Sequence, residues 1–139
     1  MKKFLLALVV IAASAYGAST ATYVSHDKVS AALAKTTTLV TTPDYLVSGS
    51  HRSGPGQVEL HEKETDVIYV VDGEATFVTG GTMIGGKTTR VGQMLGSDMQ
   101  GGETYHLSKG DVIVVPAGMP HWFKEVPASI SYYVVKVVK

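Results

Sequence analysis

From about residue 36 onward, apolar positions recur in short runs broken by glycine and proline, the pattern of strands joined by tight turns. Residues 36–40 and 45–47 are β-rich and are split by Pro43-Asp44, a turn pair. Val58–His61 alternates apolar and polar side chains, so members two apart share a face. Residues 67–71 form a continuous apolar run, which predicts a strand buried on both faces. Asp72-Gly73 then predicts a hairpin turn, with residues 74–79 as the returning strand. Residues 111–115, residues 122–125 and Ile130–Val138 complete the set, and Tyr69, Phe77 and Phe123 are expected in the core. A helical signature appears in one place, residues 25–35, where Ser25 or Asp27 can cap and Ala, Leu and Lys favour the helix.

Many short strands with little helix predict an all-β sandwich or closed barrel, and spacing alone does not choose between them. Eight glycines fall between Gly80 and Gly102. A segment of that length reads either as a lid or binding loop or as an irregular hairpin.

Ahead of the helix, Lys2 and Lys3 precede the apolar run 4–13, and small residues follow at Ala13-Ser-Ala15, Ala15-Tyr-Gly17 and Ser19-Thr-Ala21. This predicts a cleaved secretory signal over residues 1–21, too short to span a bilayer comfortably. Residues 22–44 would then hold the helix and a lead-in strand, and residues 45–139 the barrel, in a secreted or periplasmic protein. The 139 residues suit one domain, and 45% apolar against 17% charged argues against disorder. Net charge is zero with no basic stripe, which argues against a nucleic-acid partner. There is no cysteine, so disulfides, thiolate chemistry and lipid attachment at an N-terminal cysteine are excluded, and no membrane anchor is expected after signal cleavage. Any metal site must draw on His, Asp or Glu, a donor set suited to Mn, Fe, Ni, Zn or Cu.

The candidate chemistry lies in two stretches. His121 opens a strand after the corner Pro116-Ala-Gly118, and Glu59 and His61 share a face of the strand upstream, followed by Asp66. Together these offer two imidazoles and two carboxylates; two His with one carboxylate are enough for a facial metal site. Asp66 is one methylene shorter than Glu and serves either as a ligand or as a group that orients one. Glu59 is either a ligand or a solvent-facing residue, and Glu62, Lys63 and Glu64 read as a solvated turn. His51 and Arg52 precede Gly54-Pro55-Gly56, a loop that can edge a barrel mouth, where Arg52 could bind a substrate carboxylate. Trp122 should face away from His121.

These residues carry a resemblance. Gly110, Pro116, Gly118, His121 and Glu125 resemble the second motif of the cupin superfamily, G-x5-P-x-G-x2-H-x3-N, with Glu in the final position. His61, Asp66 and Gly73 are similar to the second half of the first motif, G-x5-H-x-H-x3,4-E-x6-G, with Glu59 in its first histidine position and Asp66 in its glutamate position. The resemblance runs over residues 45–138. It implies a jelly-roll β-barrel, a divalent metal ion bound by Glu59, His61, Asp66 and His121, and a homodimer, for which the apolar Ile130–Val138 strand is suited. It also implies a small-molecule substrate and activity of the dioxygenase or isomerase type, with Glu125 or the unligated carboxylate of the Glu59 and Asp66 pair as a base. A degraded first motif leaves a second expectation open, a non-catalytic periplasmic small-ligand-binding cupin.

Overall fold

The computed structural model describes residues 20–139; the signal sequence expected over residues 1–21 lies almost wholly outside them. The expected helix is α1 (His26–Lys35), with Asp27 in its first turn and Lys35 in its last, each complementing the helix dipole. Its Ala32 is buried against strand β2 (Tyr45–Arg52), where a Cβ on Gly49 would come within 2.8 Å of Ala32. The chain leaves α1 through Thr36 at φ 50°, an unusual conformation for a β-branched residue. The Thr36 hydroxyl holds it there by accepting from the His51 N–H (2.8 Å) and donating to the His51 carbonyl (3.1 Å). No helix among the described residues is long and apolar enough to cross a membrane.

The rest is strand: β1 (Thr37–Thr41), β3 (Val58–His61), β4 (Glu64–Thr79), β5 (Thr82–Ile84), β6 (Lys87–Arg90), β7 (Gln93–Gly96), β8 (Asp98–Gln100), β9 (Glu103–Ser108), β10 (Val112–Val115), β11 (His121–Glu125) and β12 (Ile130–Val138). One sheet runs β1-β2-β12-β4-β10 and the other β6-β7-β3-β11-β4-β9, all antiparallel. The fold is an all-β jelly-roll barrel whose two sheets share β4.

That sharing corrects one expectation. Asp72-Gly73 does not reverse the chain: β4 continues for 16 residues, pairing with β12 and β10 in its first half and with β9 and β11 in its second. A register shift opposite Ser131/Tyr132 adds one residue to β4, and the inward set changes from Asp66, Ile68 and Val70 to Ala75, Phe77 and Thr79. Gly73, at φ 80°, sits where β4 crosses between sheets, and a Cβ there would strike the Ser129 carbonyl.

One further expectation changes and an open one is decided. The 67–71 run is buried on one face only; Ile68 and Val70 are internal, whereas Tyr69 points out and is 45% exposed. The glycine-rich 80–102 segment takes the second of its two readings, an irregular hairpin: β5 pairs with β8, and inside that pair the β6-β7 hairpin adds to β3. The core gathers around Phe77, which meets Phe123 edge-on at 4.7 Å; Phe123 in turn stacks on Tyr132 at 4.9 Å.

Gly73→Ala is therefore expected to cost about 2–3 kcal/mol of stability, because it combines backbone strain with a collision. Gly118→Ala, also at positive φ (80°) but with open space at its Cβ, should cost only about 1 kcal/mol. Urea denaturation of the two variants tests the difference; equal losses would refute this account of the β4 crossing.

Candidate metal centre

β3 supplies Glu59 and His61, two apart on one strand, and β11 opens with His121 directly opposite Glu59. The corner before His121 is fixed to β3 and β4: the Gly118 N–H donates to the His61 carbonyl at 2.7 Å, and the Ala117 N–H to the Thr65 hydroxyl at 3.2 Å. The two imidazoles lie with ring centroids 5.2 Å apart, both nearly fully buried. His121 Nδ1 is 3.2 Å from the Met119 carbonyl, which can only accept, so Nδ1 carries the proton and Nε2 presents its lone pair inward.

β4 supplies Asp66, whose Oδ2 is 3.5 Å from His61 Nε2 and 3.6 Å from His121 Nε2. Glu59 Oε2 is 3.4 Å from His61 Nε2, while its Oε1 is held by Arg52 Nη2 at 3.1 Å. Glu59, His61 and His121 each offer a ligand atom, all within 4.8 Å of one another, and His61, Glu64 and Asp66 form a second such group. The four expected ligands thus fall in two overlapping groups that share His61, with Asp66 Oδ2 also near His121.

The donors fit a divalent ion. Both ring nitrogens of His61 are buried without a hydrogen-bond partner among the described residues, a costly state for an imidazole unless something else satisfies it. The protonation states also fit. Burial lowers the pKa of His121 below its ordinary 6.5, against the opposing pull of Asp66 and Glu59, and so keeps the ring neutral as a ligand must be. Burial alone would push the Glu59 carboxyl up, but His61, His121 and Arg52 outweigh it and hold it at about 2, an anion at any ordinary pH.

A cavity of about 270 Å³ opens above these groups, with Arg52, Glu59, Asp66, His121, Phe123 and Lys136 in its wall. Arg52 reaches it as expected, but its guanidinium is engaged by Glu59, by the Tyr132 hydroxyl at 3.0 Å and by the Phe123 ring at 4.9 Å. His51 stands at the rim and binds Ser131 through Nδ1 at 2.9 Å. Glu125, expected as a base, is not brought in. A bulge at Lys124 puts Glu125 opposite outward-facing Thr76, whose hydroxyl it accepts at 3.0 Å; the one-residue slip turns it to the outer face. Trp122 faces away from the site as expected and donates to the Gly56 carbonyl at 2.8 Å.

Two participants were not foreseen. Glu64, read as part of a solvated turn, is only 20% exposed and lies 3.6 Å from His61 Nδ1. Lys136 binds both oxygens of Asp66, at 2.8 and 2.9 Å. Its signal was present: a lone charged residue at the inward parity of Tyr132 and Val134 in an otherwise apolar strand.

The cupin family pattern matches residues 51–136, well over half of the chain, and takes in every one of these groups. The chain belongs to the cupin family. No curated protein matches it by sequence. Among solved structures, this cupin is similar to the cupin domain of Cnp3 from Schizosaccharomyces pombe (12% identity, TM-score 0.54), covering 74% of this chain and 59% of that one. It is also similar to the conserved SPY1581 protein of unknown function from Streptococcus pyogenes (18%, TM-score 0.52, 73% and 71% covered). A third similar structure is Streptomyces Pac13 with uridine (14%, TM-score 0.50, 71% and 63% covered), a protein described as a nucleoside dehydratase. At such identities the likeness is one of fold.

The two shifted groups give the metal-free protein a stepped acid response. His121 stays neutral in the fold but takes up a proton on unfolding below about pH 6.5, so stability falls as pH drops through that value. The stability contributed by Glu59 is present above about pH 4.5 and is lost as pH falls toward 2. Urea midpoints measured from pH 8 to pH 3 should fall in both ranges, and His121→Gln should remove the upper step. An unchanged upper step in that variant would refute the assignment.

Proposed function

We propose that this cupin binds a divalent metal ion through Glu59, His61 and His121 and uses it to hold and transform a small organic molecule. The observation that carries this is the convergence of two imidazoles and an anionic carboxylate, of which His121 and Glu59 line a cavity of about 270 Å³. A bound ion of the Mn, Fe, Ni, Zn or Cu type would supply Lewis acidity or an oxygen-binding position, which suits dioxygenase or isomerase chemistry. The chain's own residues do the rest. Met119 and the Gly118 corner orient the two imidazoles, Arg52 keeps Glu59 ionised and aimed, and Phe123, Ile68 and Val134 present an apolar wall to the body of the ligand. The likeness to Pac13 supports an enzymatic use of this barrel.

A non-catalytic reading has one observation in its favour. Beyond the ligands, the ionised groups of the wall are paired with one another, and Glu125 lies outside the cavity. On either reading the protein works outside the cytoplasm. Lys2, Lys3, the apolar run 4–13 and the small residues that follow it support export.

Protein purified without chelator is expected to hold about one divalent ion per chain by elemental mass spectrometry, with His61→Ala and His121→Ala each losing it by about tenfold or more. A metal-free wild type carrying an organic ligand would turn the assignment to the binding protein, and a wild type carrying neither would refute both readings.

The chain pairs with a second copy through the outer face of the β10-β4-β12 sheet. Val112 sits opposite Tyr69, Val114 opposite Val67, Tyr133 opposite Tyr69 and Val135 opposite Val67, so these side chains share one face. Val112 and Val114 are 60% and 55% exposed. With Val47, Val71 and Val137 they form an apolar patch of the kind that marks an interface. Wild type should sediment as a dimer and Val112→Asp/Val114→Asp as a folded monomer; a monomeric wild type would remove this proposal.

A further inference from the structure

We propose that Lys136 is a built-in cation that withholds Asp66 from the metal ion, so that the centre is made by Glu59, His61 and His121 alone and keeps open positions toward the cavity. This rests on the metal-binding reading above.

The two carboxylates at the cavity floor are engaged differently. The Lys136 ammonium reaches both oxygens of Asp66, at 2.8 and 2.9 Å, whereas the nearest imidazole nitrogens stand at 3.5 and 3.6 Å. Glu59 gives only Oε1 to Arg52 and leaves Oε2 facing His61 Nε2. One carboxylate therefore has both oxygens occupied by a donor, and the other keeps one free.

Backbone pairing enforces this difference. Lys136 lies directly opposite Asp66 in the β12-β4 ladder, on the same inward face. Glu64, 3.5 Å from Lys136 Nζ, gives the ammonium a second anionic neighbour that holds it in place. Asp66 is 4% exposed, so water cannot compete for its oxygens, and removing the ammonium would leave a bare buried charge. A charge that close to the ligand atoms also opposes a second cation through a medium less screening than water. Asp66, shorter than Glu by a methylene, is better placed to reach across the ladder to Lys136 than forward to the imidazoles. The arrangement trades metal affinity for an unfilled coordination sphere, which a ligand entering from the cavity can use.

Calorimetric titration of Co²⁺ into chelator-stripped protein, with the visible absorption of the bound ion, tests this. Lys136→Met should bind Co²⁺ about tenfold more tightly and change its absorption bands, because Asp66 then joins the ion. Asp66→Asn should keep the wild-type bands, although the unpaired Lys136 charge then weakens binding, while Glu59→Gln changes the bands and loses about tenfold or more. The double variant Asp66→Asn/Lys136→Met should return to the wild-type bands, and Lys136→Arg, which keeps the charge, should resemble wild type throughout. Should Lys136→Met fail to melt cooperatively, Asp66→Asn decides alone. Changed absorption bands in Asp66→Asn, or a Lys136→Met protein that binds Co²⁺ no better than wild type, overturns the role of Lys136 while leaving the metal reading intact. A wild type that takes up no Co²⁺ overturns the metal reading and this inference with it.

Discussion

The structure depends on keeping buried charges in pairs. Within a few ångströms of His61 lie the carboxylates of Glu59, Glu64 and Asp66, in surroundings where an unpartnered ion costs several kcal/mol. Arg52 answers Glu59 and Lys136 answers Asp66, and both cations arrive on strands whose register is set by long ladders elsewhere. Shifting β12 by one residue would turn Lys136 out and Tyr133 in, leaving Asp66 bare and the core stack on Phe123 broken. The apolar core and the polar floor thus constrain the same pairing.

Much of the site was legible because its signals are local. The Pro116–Gly118 corner followed by His121, and the i, i+2 spacing of Glu59 and His61, fix direction over a few residues, and the structure brings them together as those spacings require. The all-β character and α1 were legible for the same reason. What escaped depends on partners remote in the chain. Asp72-Gly73 has the composition of a hairpin turn, but a strand that changes sheets needs the same positive-φ glycine, and only the strands on either side distinguish the two. Glu125 follows the parity of His121 on paper, and a single inserted residue reverses it. Lys136 could be seen as out of place in an apolar strand, but its partner is 70 residues away.

The outward valines and tyrosines show the same limit from the other side. A run such as residues 67–71 reads as buried on both faces, yet the folded chain covers only one of them. The hydrophobicity of the second face is an attribute of the strand sequence that the core of the single chain does not use.

One strand, β4, has a further consequence, for the order in which the molecule forms. It must find β12, β10, β9 and β11, all later in the chain, before the two sheets are joined, and contacts between such distant segments are slow to form because long loops must close first. Glu59 and His61 meet His121 only when β3 and β11, about 60 residues apart in the chain, pair. A cation of the kind proposed would meet isolated imidazoles and carboxylates with no shared grip in the unfinished chain, and would favour the finished molecule over its precursors.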